Sequence, residues 1–178
     1  MMEFARIANK TNSVTYTEVI LGLPGDTKEK HFESLRIGID MELNSIKMYQ
    51  LMLLIGTEIN SEESQKKYGM QIRWRVPPGC AGIYNFFGSE YRIAELEKIV
   101  VANNTLSFDD YLECRLMDFI VEVFINNAWF EELFALISFF SLSRFDFLLF
   151  LKDNIMHLLE KGSHANKKSN ISYRKIKE

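Results

Sequence analysis

The residues best spaced for chemistry lie in the run Thr17-Glu18-Val19-Ile20-Leu21-Gly22-Leu23-Pro24-Gly25-Asp26-Thr27. A carboxylate sits inside a β-branched stretch, and a glycine-proline turn follows it directly. Gly22 allows close backbone approach, Pro24 removes an amide donor and stiffens the bend, and Gly25 completes the turn. A helix opening at Asp26 or Thr27 would offer free N–H groups to an anion, although a plain tight turn explains the same residues. The Gly-x-x-x-x-Gly-Lys-Ser/Thr phosphate loop is absent. Gln50, Gly56 and Thr57 flank a second apolar run. They are either the rim of a cavity or an ordinary strand exit. Arg73, Arg75, Tyr84 and Tyr91 read as surface ion pairs and satellite packing, or as a substrate mouth.

Other chemistries lack their residues. Cys80 and Cys114 are far apart, and His31, His157 and His164 do not cluster, so no metal-ligand spacing is present. No Ser-His-Asp or Cys-His nucleophile arrangement is visible. Glu62 and Glu63 read as solvated neighbours. Asp109 and Asp110 are helix-start residues favoured by the helix dipole.

The elements that must position these residues begin with a strand over Val14–Leu21, stopped by Gly22-Leu23-Pro24-Gly25. A helix follows with Phe32, Leu35 and Ile39 on its apolar face. Ser45–Ile55 is the second strand. The spacing is that of a βαβ unit with parallel strands. Two such strands leave edges and faces exposed, which argues for a missing neighbour. Glu62–Tyr68 reads as a short helical turn, Gln71–Val76 as extended, and Gly82–Gly88 as an aromatic loop. The period then changes. Helices are expected over Ser89–Ala102, from Ser107 through Phe124, over Ala128–Phe140 and over Ser143–Lys161. In the second of these, Phe108, Leu112, Leu116, Phe119, Ile120, Val123 and Phe124 recur at helical spacing. The tail after Ser163 is basic and polar.

The chain has 178 residues, 47% of them apolar, with a net charge of -3. That length and composition support a real core and give no sign of nucleic-acid binding. The N-terminus has no signal-peptide core, and charges interrupt the greasiest region, Trp129–Leu151, so a cytoplasmic chain without membrane contact is expected. Phenylalanine is abundant enough in the second half to predict an interface as well as a core.

The segment from about Tyr16 to Phe124 resembles the cobalamin-binding subclass of radical S-adenosylmethionine enzymes. Glu18 to Thr27 is similar to that family's late-strand Gly-Leu-Pro-Gly segment. Tyr49 to Glu58 resembles the next strand and its exit. Arg73–Pro77, Gly82–Tyr84 and Glu95–Ser107 recur there in the same order. The resemblance implies a partial (β/α)6 barrel in which a CxxxCxxC run holds three irons of a 4Fe-4S iron-sulfur cluster. The fourth iron is chelated by the amino acid end of S-adenosylmethionine, and cobalamin sits in a preceding domain. It further implies that Glu18 bonds the ribose or amino group of S-adenosylmethionine and that Ile20 packs on the adenine. Gly22, Pro24, Gly25, Gln50, Gly56 and Thr57 would line the same cofactor wall.

The chain departs from that family at its cysteines, since no CxxxCxxC run is present. The expected architecture is therefore α/β, a C-terminal fragment of a radical barrel followed by a helical region. Residues 1–88 form the barrel part, 89–162 the helical extension and 163–178 the tail. No cofactor or metal is expected for the isolated chain, and no catalytic residue is assigned. The expected partner is a cluster-bearing half encoded upstream, or a second copy. The alternative is a non-catalytic helical interaction module or remnant.

Overall fold

Short strands and longer helices alternate early in the chain and separate later. A computed structural model describes Ile7, Thr11 and residues 13–155. His157, His164, the end of the last expected helix and the basic tail lie outside the described residues. Strand β1 (Tyr16–Leu21), helix α1 (Lys28–Asp40) and strand β2 (Ser45–Gln50) come first. Then follow α2 (Glu62–Lys67), β3 (Gln71–Arg75), β4 (Ala81–Phe86), β5 (Ser89–Ala94), β6 (Glu97–Ala102), α3 (Phe108–Phe124) and α4 (Glu131–Phe139). The last is α5 (Arg144–Ile155). The chain is thus mixed α and β, and no closed barrel forms among the described residues.

The βαβ expectation holds at its start. β1 and β2 are parallel, with Glu18 opposite Lys47 and Ile20 opposite Tyr49. Helix α1 starts where the turn residues place it, with Thr27 Oγ1 accepting from Lys30 N–H. Its Leu35 and Ile39 join Ile46, Met117, Ile120, Val121, Phe134, Phe145 and Leu148 in the main core. Gly38 lets α1 lie close on β2, because a Cβ there would sit 2.8 Å from Ile46 Cδ1. After Gln50 the chain continues irregularly. Leu51 N–H still reaches Leu21 O, while Val100 N–H donates to Leu51 O and Leu53 N–H to Lys98 O. In this way β6, itself antiparallel to β3, is joined to the parallel pair.

Two expectations are corrected here. Ser89–Ala102 is not a helix but the two strands β5 and β6. Ile93, Leu96 and Val100 fall at helical spacing by coincidence. The local pattern is period two, with Tyr91 and Ile93 alternating with Glu90 and Arg92, and Ile99-Val100-Val101 is β-branched. The aromatic stretch Gly82–Gly88 is likewise not a loop but most of β4 and the hairpin turn, where Phe87 takes φ 47° ahead of Gly88. The expected division between residues 88 and 89 would cut the β4–β5 hairpin at its turn, and β6 beyond it pairs with β3 before it. The β4–β5 ribbon stands off the body, with Ile83, Phe86, Phe87 and Ile93 all exposed.

Helix α3 forms as expected, but its buried face is displaced. Tyr111, Cys114, Met117, Asp118, Ile120 and Val121 are inside, whereas Phe108, Leu112 and Phe119 are exposed. Ser107 caps it, accepting from Asp110 N–H at 3.1 Å and donating to Asp110 Oδ2 at 2.7 Å. That hydroxyl, with Lys28 at 2.9 Å, holds the Asp110 carboxyl below its ordinary value. A carboxyl so shifted stabilises the fold above its unfolded titration range, and the contribution is lost as pH falls through the lower folded value. Ser107→Ala is expected to cost about 1 kcal/mol, read as a lower urea midpoint at unchanged slope.

Candidate functional site

Alternation along β1 and β2 divides the candidate residues between two faces. Helices α1 and α3 cover the face carrying Leu21, Ile46 and Gln50. The opposite face carries Tyr16, Glu18, Ile20, Lys47 and Tyr49 and is bare, with Ile20 43% and Tyr49 47% exposed. Glu18 and Ile20 therefore stand together on an open surface. Gln50 does not join them. It lies on the helix side, where its Nε2 donates to Tyr111 Oη at 2.8 Å and its Oε1 accepts from Arg75, which also pairs with Glu97.

The turn at the end of β1 is held firmly. Gly22 takes φ +95° and Gly25 φ +81°, a region in which L side chains are strained. Asn103 Nδ2 donates to Gly22 O at 3.0 Å, Thr105 Oγ1 to Asp26 O at 2.6 Å, and Lys30 Nζ to Gly25 O at 2.8 Å. Pro24 completes the bend and, with Gly25, lines an open groove. Gly56 and Thr57 are elsewhere, in an exposed turn after β2 where Thr57 Oγ1 donates to Leu54 O. The residues expected to form one wall are thus split. Glu18, Ile20, Gly22, Pro24 and Gly25 share one end of β1, while Gln50 and the Gly56-Thr57 turn serve other contacts.

The groove, of about 520 Å³, runs along the outer edge of β1 against α1 and is lined by Glu18, Ile20, Leu23, Lys30, His31 and Ile37 among others. His31 is its unexpected member. It is 1% exposed, and its Nε2 lies 2.7 Å from Oδ1 of Asp118, itself 2% exposed. Arg115 donates to the second Asp118 oxygen at 3.1 Å. Asp118 accepts from both sides, so His31 Nε2–H is the donor of that bond. His31 Nδ1 is buried with no hydrogen-bond partner. Sequence reasoning left His31 as an isolated histidine. The usable signal was two titratable residues on buried helical stripes, His31 with Leu35 on α1 and Asp118 with Cys114 and Val121 on α3.

The cysteines do not fit an iron-sulfur cluster, which needs three thiolates from the protein. Cys114 is buried, and burial pushes its thiol up to about 12, helped by the nearby Asp118 and Asp26 carboxylates. Cys80 is half-buried in the loop before β4. Among the described residues no group of three His, Cys, Asp or Glu side chains is placed to hold a metal. A thiol reagent at mild alkaline pH is expected to modify Cys80 rapidly and Cys114 only after denaturation. Two fast thiols in the native chain would contradict the burial of Cys114.

Among the described residues no single helix is long and apolar enough to cross a membrane. Helices α4 and α5 reach that length and apolarity only together, with a 116° bend between them. No protein-family model matches the sequence, and no match to it was found among curated proteins.

Proposed function

We propose that this chain is the closing part of a radical S-adenosylmethionine barrel, completed by a polypeptide that carries the cluster. The observation that supports this reading most is the asymmetry of the β1–β2 pair. Glu18 and Ile20 lie on its one bare face, at the end of a strand whose Gly-Leu-Pro-Gly exit is braced from Asn103 and Thr105. In the completed barrel that face looks inward. Glu18 then accepts hydrogen bonds from the cofactor's hydroxyl or amino groups, and Ile20 supplies an apolar wall for its base. An unpaired carboxylate would be costly in such an interior, so a ligand partner suits Glu18. The chain's own part is binding and orientation. The cluster and the radical chemistry belong to the partner, and cobalamin to a domain beyond both.

The test is anaerobic reconstitution with iron and sulfide, first on the chain alone and then on the chain co-expressed with a barrel half bearing CxxxCxxC. The chain alone is expected to take up no stoichiometric cluster. The co-expressed pair is expected to co-purify and to cleave S-adenosylmethionine, with Glu18→Ala weakening its binding. A cluster and cleavage by the chain alone, or a half that never associates, overturns the proposal.

A second reading, a non-catalytic interaction module, is favoured by one patch. Trp129, Phe139, Phe140, Leu142 and Phe150 are all largely exposed around α4 and α5. A strictly monomeric chain that binds no apolar-surface dye would count against it.

A further inference from the structure

The most apolar stretch of the chain is folded into a corner, and the outside of that corner is bare. Leu133 to Ser143 carries no formal charge, and the 116° bend between α4 and α5 falls within it. On the inside, Phe134 and Ile137 enter the main core. On the outside, Leu136, Phe139, Phe140 and Leu142 are all more than half exposed, Phe139 at 80%. The backbone here needs no partner. Ser141 takes φ 54°, Phe140 N–H donates to Leu136 O, Ser141 N–H to Ser138 O and Leu142 N–H to Ile137 O. This is the Schellman closure of a helix, which satisfies the groups at the turn internally. Ser138 Oγ accepts from Arg144, which also pairs with Glu42, and Ser143 Oγ accepts from Asp146 N–H. A protein partner is recognised through polar groups at the rim of its patch, and here those groups are taken by bonds within the chain. Apolar side chains over a satisfied backbone are instead what a segment needs to enter lipid, where no water completes an open hydrogen bond.

We propose that the α4–α5 corner inserts into the headgroup region of an anionic lipid membrane, and that the basic tail binds the same surface. The charge for this lies after α5. Lys161, Lys167, Lys168, Arg174, Lys175 and Lys177 follow with one acid, Glu178, in a chain whose net charge is -3. Anionic headgroups are the complement of such a run. Stable attachment takes two signals, a small apolar anchor and a basic segment, because each alone binds only marginally. Helix α5 is about 18 Å long, well within the reach of the chain from residue 156 to residue 178, so both signals can meet one surface. Entry is shallow. Glu132 and Asp146 are exposed on the flanking turns and stay in water. Phe150 stays out as well, flanked by Asp146 and Asp153 on one stripe of α5. Charges that interrupt Trp129–Leu151 argue against a span, not against a corner that enters by a single turn. This insertion rests on the patch of the interaction-module reading and takes lipid as its partner, and it does not depend on the radical-enzyme reading.

The full chain is sedimented with vesicles of phosphatidylcholine containing about one third phosphatidylserine, and with vesicles of phosphatidylcholine alone. Binding to the first is expected to be about tenfold or more tighter than to the second, and to be lost as salt is raised to about 0.5 M. Phe139→Ser with Leu142→Ser is expected to weaken it about tenfold or more. Both side chains are exposed, so the urea midpoint is expected to stay unchanged. Lys167→Gln, Lys168→Gln, Lys175→Gln and Lys177→Gln together are expected to weaken binding by about the same factor. Phe139→Trp is the variant that reports insertion directly. Its emission is expected to shift to the blue with anionic vesicles and to be quenched by brominated acyl chains beyond what the parent chain shows. If the serine variant folds less stably, this quenching decides.

Absence of binding to the anionic vesicles overturns the proposal, as does equal binding to both compositions or binding without quenching at position 139. Self-association that the serine variant dissolves, with no vesicle binding, assigns the corner to a second copy. That outcome also overturns the proposal and leaves the interaction-module reading standing. None of these readouts involves iron or S-adenosylmethionine, so lipid insertion and the radical-enzyme reading can fail separately.

Discussion

Asp118→Ala is expected to destabilise the chain by about 3–5 kcal/mol, the usual loss when a buried carboxylate is taken from its hydrogen-bonded partners. The carboxylate is 2% exposed and is bound by His31 at 2.7 Å and Arg115 at 3.1 Å. Without it, His31 keeps two buried nitrogens and no partner, and helices α1 and α3 lose their polar tie. A urea titration would show a midpoint lowered by about 1 M or more at similar slope. Asp118→Asn keeps an acceptor for Nε2–H and gives up the charge-assisted bonds, so about 1–3 kcal/mol is expected. The double change His31→Phe with Asp118→Leu is expected to cost less than the sum of the single changes, since no polar group is then stranded. A cost under about 1 kcal/mol for Asp118→Ala would mean that water reaches the pair.

That outcome bears on why the pair exists. An apolar pair would fill the same space between α1 and α3 without desolvating a carboxylate. What it would lack is the hydrogen bond between His31 and Asp118 that sets how α1 lies on α3.

The sequence was most readable where residues punctuate. Gly22, Pro24 and Gly25 end β1, Thr27 and Ser107 cap α1 and α3, and each boundary falls within a residue or two of its signal. Where punctuation is thin, period alone misled. The fourteen residues after Gly88 hold apolar side chains compatible with both 3.6 and 2.0, and Gly88 at φ +79° was the hairpin cue that decided between them. The site was legible only in part. Glu18 and Ile20 share a face because strand alternation is a local property. Gln50 bonds Tyr111, and His31 bonds Asp118, across pairs 61 and 87 residues apart in the chain. No local pattern encodes such pairings. They follow from how α3 is laid across α1 and β2, which is decided by the whole core.

Phe145→Ala tests that core at its contribution from α5 and is expected to cost about 3–5 kcal/mol. Phe145 is 2% exposed and sits at the start of α5. Its ring meets Phe32 edge-on at 6.5 Å between centroids, and the Arg36 guanidinium lies 5.0 Å above it. Both partners are on α1, so one side chain joins the end of the described chain to the helix that forms the groove. Removing it leaves a cavity between elements that α3 and Leu148 also hold apart, which limits collapse into the space. Phe150→Ala, on the same helix but exposed, is expected to change stability by less than about 0.5 kcal/mol. The contrast between the two is the informative measurement. If Phe145→Ala is costly and Phe150→Ala neutral, α5 is docked on α1 and its outer face is free. If both are costly, the outer face is buried in solution against another surface, and the stability will rise with protein concentration. If Phe145→Ala is neutral, α5 does not pack on α1, and the groove wall is held by β1 and α3 alone.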